Sequence, residues 1–306
     1  MSSVSVPGRL EQRETSVLVT RAVDYVQLAK PRIAVMAMVT VAVGYVIGAQ
    51  GAVHVAELAS ACFGILLVAA ACNFLNQAIE KETDIRMQRT AKRPVASGRI
   101  SAREVFVAGL VFASAGTTWL WYSTNLTTSV LAAVTLALYV CIYTPLKRVS
   151  FLGTIVGAVS GALPPVLGWS AAGGNLDGGA LALFLLLFVW QFPHFLAIAT
   201  IHRQDYESAG LRMLPMFGGS RSAAGLVSVV YACVLIPISL LVWDQGLAGS
   251  AYVTVALVGG FAYLISSFRF LLNQSQRRAK ELLLCSIVYL PTVLLTITWD
   301  HYRLLS

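Results

Sequence analysis

A chain of 306 residues with 57% hydrophobic and only 12% charged positions is not an ordinary soluble globule, in which about 25% of residues are charged. So much apolar side chain leaves a polytopic membrane protein of the all-α class. The net charge of +8 would suit a nucleic-acid partner, but its distribution along the chain argues against one.

Residues 1–29 are polar and mixed in charge, without the apolar core of a signal peptide. They are expected to form a loosely ordered cytoplasmic tail, with 30–306 as a single transmembrane domain. Lys30 and Arg32, in "LAKPRI", stand at the membrane entry. Two roles fit them, anchoring the first helix or reaching toward an anionic ligand.

Apolar stretches of spanning length follow at 33–50, 56–79, 104–122, 126–146, 151–171, 179–202, 222–243, 249–272 and 282–299. With the amino terminus in the cytoplasm, 21 of the 22 Lys and Arg residues fall on that side, and only Arg303 falls opposite. Such asymmetry is the positive-inside signal of membrane topology. It also leaves a basic surface for anionic lipid or an anionic substrate. The opposite connections, "GAVHVAE", "STNLT", "AAGGNLDGG" and "DQGLAGS", carry little chemistry.

The second apolar stretch ends in "NQAIEKETDIRMQRTAKRP", residues 76–94, where eight of nineteen positions are charged. Asn76, Glu80 and Asp84 are four apart, so on a helix they fall within roughly 80° of one face. Three oxygen-bearing side chains in a row suit a hard cation such as Mg²⁺, which takes one or two carboxylates and completes its shell with water and phosphate. Arg86, Arg89, Lys92, Arg93 and Arg99 follow, and guanidiniums clamp oxyanions well. The plainer reading is a solvated helix end whose acids pair with Lys81, Arg86 and Arg89.

"YTPLKR" closes the fourth stretch with Lys147 and Arg148, as topological anchors or as diphosphate contacts. In the fifth, Gly153, Gly157 and Gly161 recur every fourth residue ahead of Pro164 and Pro165, a spacing that lets helices approach closely. The sixth contains Gln191, Pro193 and His194, then His202 and Asp205 at its cytoplasmic end. His194 lies eleven residues before Asp205, about 16 Å deeper, and an ionisable residue at that depth is a functional candidate. A hydrogen bond to a neighbouring helix is the alternative for it. Stretches two and six both run toward the cytoplasm, so their polar ends emerge on one side. Cys62, Cys72, Cys141, Cys233 and Cys285 are scattered through apolar segments and read as small buried hydrophobes. No P-loop, G-x-G-x-x-G or H-E-x-x-H motif is present.

The run Asn76, Glu80, Asp84, Met87, Arg89, Thr90, Arg93, Pro94 resembles the first aspartate-rich signature of the UbiA-type intramembrane prenyltransferases. "KPRI", "YTPLKR", "WQFPHF" and "DYESAGLRMLP" are similar to the protoheme IX farnesyltransferase branch of that superfamily. The likeness runs from about Leu28 to the last helix. It implies a UbiA prenyltransferase-like fold, nine transmembrane helices around a central cavity, capped by the loops after helices two and six. It also implies farnesyl transfer from farnesyl diphosphate to a vinyl group of heme b, giving heme o for heme-copper oxidase biogenesis. By that resemblance Asn76, Glu80, Asp84 and Asp205 hold Mg²⁺ and carry the catalysis. Arg89, Arg93, Lys147, Arg148 and Lys30 bind the diphosphate, while His194, Gln191 and His202 lie beside heme, with His194 a candidate axial ligand. Two positions depart from the pattern: Glu80 stands where many members carry Asp, and the second motif has one central acid, Asp205. The implied setting is a bacterial inner membrane, with membrane lipid, the two substrates and a downstream heme-modifying enzyme as partners and no nucleic acid. Two rival readings are a UbiA-type enzyme acting on an aromatic or quinone precursor, and a non-catalytic heme carrier or transporter.

Overall fold

The computed structural model describes residues 19–49, 51, 53–211 and 223–305. Among them nine helices are long and apolar enough to cross a membrane: Pro31–Gly48, Val55–Ile79, Ala102–Ser123, Leu126–Leu146, Leu152–Ala171, Gly178–Ile201, Ala223–Asp244, Ser250–Leu272 and Gln276–Leu304. These spans coincide with the nine expected stretches to within a few residues, because length and apolar content dictate them. The ninth begins earlier than expected. Its polar first turns are helical because Arg277 and Arg278 pair with Glu281, at 3.3 and 2.6 Å, and such i,i+3 and i,i+4 contacts stabilise a helix outside its apolar part.

Each span packs against the next in sequence, and the ninth returns to the first. Spans six to nine share one apolar core that includes Leu183, Leu186, Leu235, Tyr252, Leu282 and Leu294. Spans one, two, three and four meet around Val41, Val68, Leu120 and Ala132, with Leu167 of span five. Outward faces carry exposed Val107, Val111, Val258, Phe261 and Leu295, as lipid contact requires. Trp121, Tyr122, Trp243, Trp299 and Tyr302 are exposed near the ends of spans three, seven and nine, the interfacial aromatic placement of membrane proteins.

Glycine sets the closest approach. A Cβ at Gly44 would overlap the Pro165 carbonyl, and one at Gly168 would overlap the Val41 carbonyl, so the backbones of spans one and five touch directly. The expected small-residue stripe packs similarly: Gly157 faces the Tyr143 ring and Gly161 faces the Gln191 amide. Span five breaks at Leu163, between helices Leu152–Ala162 and Pro164–Ala171. Pro164 and Pro165 there lack the N–H groups that would continue the ladder.

Residues 1–18, part of the expected loose tail, lie outside the described residues. Residues 19–29, expected to belong to that tail, instead form a helix. Its buried Asp24 receives Arg99 Nε at 2.9 Å, and Arg21 and Tyr25 both reach Glu104 at 2.8 Å. Arg99, grouped by sequence with the diphosphate cations, is thus committed to Asp24 and Gln27, because a buried carboxylate needs a counter-charge.

Candidate functional site

The helical register carries through the end of span two. Glu80 N–H donates to Asn76 O at 2.9 Å and Asp84 N–H to Glu80 O at 2.8 Å, so the three expected side chains share a face across the junction with the short helix Lys81–Arg86. All three are nearly sealed from solvent: Asn76 2%, Glu80 3% and Asp84 1% exposed. Burial on this scale requires compensation, and each carboxylate has found a cation. Lys147 Nζ lies 2.6 and 2.7 Å from the two oxygens of Glu80. Arg93 Nη1 lies 2.8 Å from both oxygens of Asp84.

The chain bends to make these contacts. After Met87 successive turns, with Thr90 N–H on Met87 O and Arg93 N–H on Thr90 O, carry Arg93 back over Asp84. Thr90 Oγ1 donates to the Asp84 carbonyl at 2.9 Å and fastens the turn. At the end of span four, residues Leu138–Tyr143 widen into a π-helical segment. Pro145 accounts for the widening, since its ring clashes with the carbonyl four residues back and it has no N–H to offer. The segment places Thr144, whose Oγ1 donates to Tyr139 O and accepts from Asn76 Nδ2 at 3.1 Å. Lys147 Nζ sits 5.0 Å over the Tyr143 ring, a cation–π distance. Neither Thr144 nor Tyr143 was singled out by sequence, although both lie within the "YTPLKR" run.

Lys30 joins the same group. It links the helix 19–29 to span one in a left-handed conformation, φ 52° and ψ 65°, uncommon and costly for a residue with a Cβ. Asn73 Nδ2 and Gln77 Nε2, from span two, hold the carbonyls of Ala29 and Leu28 just ahead of that junction. The Lys30 ammonium makes no hydrogen bond or ion pair among the described residues. Burial drives its pKa down from 10.5 to about 7, Arg93 and Lys147 push it the same way, and Glu80 and Asp84 oppose them. For Lys147 burial pulls down too, but Tyr143, Glu80 and Asp84 outweigh it and the pKa rises.

The second polar loop docks on the first. Asp205 Oδ1 accepts from the Gln88 backbone N–H at 3.2 Å, and Ser208 Oγ donates to Arg86 O at 3.1 Å. Met87 packs with Tyr206, Ala209 and Leu211 beneath these bonds. Arg89, exposed and without an ion pair among the described residues, acts on His202 across the gap. Burial lowers the His202 pKa, Arg89 lowers it further, and Asp205 opposes them. The sequence run "DYESAGLRMLP" continues past the described residues at 212–215.

Among the described residues no three His, Cys, Asp or Glu side chains converge as a ready metal cluster. Arg93 and Lys147 face the acids themselves. Arg148 Nη2 donates to Ile79 O at 3.1 Å and so caps the carbonyl end of span two, where a cation suits the helix dipole. Gln191 donates both amide hydrogens to backbone, Ala158 O at 3.2 Å and Leu187 O at 3.0 Å, and bridges spans five and six. His202 lies 3.9 Å from Asp205, two helical turns from His194. His194 itself bonds Ser286 of span nine, at 2.8 Å, and stacks on Trp190 at 4.8 Å.

The donor set still fits a hard divalent cation. Every atom offered is oxygen, as Mg²⁺ prefers. Both oxygens of Glu80 are turned to the Lys147 ammonium, at 2.6 and 2.7 Å, and would pass to a cation as that ammonium withdraws. Thr144 fixes the Asn76 amide nitrogen and so leaves its carbonyl oxygen as the open end. One or two protein carboxylates suffice when phosphate oxygens share the shell.

Residues 37–288 match the UbiA prenyltransferase family. A protoheme IX farnesyltransferase of Solibacter usitatus (strain Ellin6076) is 38% identical over 279 residues, covering 88% of this chain and 96% of that protein. The mitochondrial protoheme IX farnesyltransferase of Arabidopsis thaliana is 33% identical, covering 87% of this chain and 62% of its own. Among solved structures, that of a digeranylgeranylglyceryl phosphate synthase matches with a TM-score of 0.78 at 15% identity, over 93% of this chain and 99% of that one. A UbiA homolog from Archaeoglobus fulgidus bound to GPP and Mg²⁺ matches with a TM-score of 0.62 at 16% identity, over 92% and 99%. At such identities these two likenesses bear on the fold alone. Family match, relatives and architecture agree: this chain is a multi-pass membrane protein that belongs to the UbiA prenyltransferase family.

Proposed function

We propose that this chain transfers the farnesyl group of farnesyl diphosphate to a vinyl group of heme b, making heme o for heme-copper oxidases. The observation that carries the reading is the docking of the Asp205 loop onto the Asp84 loop through Gln88, which gathers acids and cations from two distant segments at one membrane face. Relatives bearing that activity in their names are 33–40% identical over most of the chain, which favours heme over an aromatic or quinone precursor. A transporter would need polar residues along a continuous path through the bilayer. Here the acids and cations of the two loops gather at one end, with the patch around His194 and the far-end pair Asp300 and His301 as separate groups.

Asn76, Glu80 and Asp84 would hold Mg²⁺, with Asp205 facing it from the second loop, and the ion would supply positive charge to the departing diphosphate. Lys30 and Arg89, neither of them in an ion pair among the described residues, would be free to meet the phosphate oxygens first. Arg93 and Lys147 are poised to move from carboxylate to phosphate. In the reaction the C1–O bond of farnesyl diphosphate breaks and its electron pair leaves with the diphosphate. The allylic carbon then bonds the terminal vinyl carbon of heme, and water adds at the inner carbon and loses a proton, giving the hydroxyethylfarnesyl group. Preorganised charge at the leaving group is the main electrostatic contribution. Apolar side chains of the spans around the substrates would keep bulk water from the allylic cation until the carbon–carbon bond forms.

The proposed setting is a bacterial inner membrane with the amino terminus and both loops in the cytoplasm. Purified protein given heme b, farnesyl diphosphate and Mg²⁺ should yield heme o by mass, and a chelator should abolish it. Parallel incubation with 4-hydroxybenzoate should give no product. Prenylation of the benzoate instead of heme would overturn the assignment.

A further inference from the structure

His194 sits deep in span six with its Nδ1 2.8 Å from Ser286 Oγ of span nine. The same Ser286 hydroxyl lies 2.6 Å from the Leu283 carbonyl. A carbonyl oxygen has no proton to give, so the one hydroxyl proton of Ser286 occupies that contact. Ser286 Oγ can then meet Nδ1 only as an acceptor, and the proton on the imidazole is at Nδ1. Nε2 is left as a bare lone pair.

The surroundings hold the ring in that pose. Trp190 stacks on the imidazole at 4.8 Å, and its Nε1–H donates at 3.0 Å to the backbone carbonyl of Ser286. Tyr263 of span eight donates to the Trp190 carbonyl at 3.1 Å. The Nε2 edge makes no hydrogen bond among the described residues. His194, Phe195, Ile198, Ile201 and His202 are all partly exposed, a stripe at helical spacing that leads from His194 to the Asp205 loop.

We infer that Ser286 is a positioning residue that fixes His194 in its Nδ1–H tautomer and presents Nε2 to the iron of heme. The inference rests on the proposed heme activity. A partner on the far ring nitrogen that sets tautomer and orientation is how proteins prepare histidine as a metal ligand, and loss of such a partner costs about 10- to 100-fold in affinity.

The test is titration of purified protein in detergent with ferric heme b, read by the Soret band and by electron paramagnetic resonance. The variants are His194→Ala, Ser286→Ala and Ser286→Cys. The expected result is a histidine-ligated signature in the unaltered protein that His194→Ala removes. Both Ser286 variants should weaken heme binding by about 10- to 100-fold while farnesyl diphosphate binding is kept. Cysteine fills the serine volume but accepts hydrogen bonds poorly, so a loss in Ser286→Ala alone would indicate packing and overturn the inference. Unchanged affinity and spectra in both Ser286 variants would overturn it as well. Heme uptake insensitive to His194 would overturn it and leave the proposed reaction standing. No heme uptake by the unaltered protein would overturn both.

Discussion

Asp205 accepts a hydrogen bond at 3.2 Å from the backbone N–H of Gln88, four residues beyond Asp84. The two residues are 117 apart in sequence, so this contact, with Ser208 on the Arg86 carbonyl, closes the polar loop after span six upon the polar loop after span two. The acids of both loops therefore stand at the same end of the helical bundle, as a shared ligand requires.

Removal of charge at the centre of the first loop should be the most damaging change. Asp84→Asn retains shape and the ability to accept from Arg93 but loses the charge. Turnover of farnesyl diphosphate should fall by about 10²- to 10³-fold, the scale for loss of a transition-state electrostatic contact. Product mass measured on purified, membrane-extracted protein checks this, and near-normal turnover would remove Asp84 from the chemistry.

The Lys147–Glu80 pair makes a stability prediction. Both side chains are largely buried, at 11% and 4% exposure. Lys147→Met should cost about 3–5 kcal/mol, because Glu80 is left buried without its counter-charge. Adding Glu80→Gln should recover most of that loss, since the unpaired charge disappears. Thermal unfolding of the single and double variants gives the comparison, and additive losses would contradict the coupling.

Lys30 predicts a pH dependence. With its pKa at about 7, the side chain is a cation below that pH and neutral above it. Diphosphate affinity should decline as pH rises through 7, and Lys30→Gln should lie at the lower level throughout. The difference between the two proteins cancels the titration of the ligand itself. The stability effect has the opposite sign. Between about 7 and 10.5 unfolding takes up a proton, so Lys30 makes the native state more stable as pH rises across that window. Parallel affinity curves for the two proteins would refute the assignment.

Gly168 tests the span one to span five contact. A Cβ there would overlap the Val41 carbonyl and come within 2.8 Å of the Tyr45 nitrogen, and backbone cannot step aside as a side chain can. Gly168→Ala should destabilise by about 1–3 kcal/mol. Gly51→Ala, whose nearest neighbour would lie 3.9 Å away, should be close to neutral in the same unfolding assay.

The spans were legible because their cause is local: a run of apolar residues long enough to cross a bilayer looks the same in sequence and in structure. The face shared by Asn76, Glu80 and Asp84 was legible for the same reason, since four-residue spacing is a helical property. The identity of the cations was not. Spacing says which side chains share a face but not that a turn after Met87 brings Arg93 onto Asp84, or that Lys147 arrives from 67 residues away. The helix 19–29 was missed because its polar residues read as a solvated tail, while its buried Asp24 is satisfied by Arg99, 75 residues on. Ser286 carried no signal at all, being one serine in an apolar run whose meaning lies in the ring it faces.

Glu80 and Asp84 each enter the site already matched by Lys147 and Arg93. On the proposed reading, an arriving metal diphosphate therefore meets carboxylates that are already neutralised, with Lys30 and Arg89 as the surplus positive charge. Entry becomes an exchange of partners, carboxylates passing to the metal as ammonium and guanidinium pass to phosphate. A lone divalent ion would take the carboxylates and leave Lys147 and Arg93 without anions, whereas metal and diphosphate arriving together supply a new partner for each.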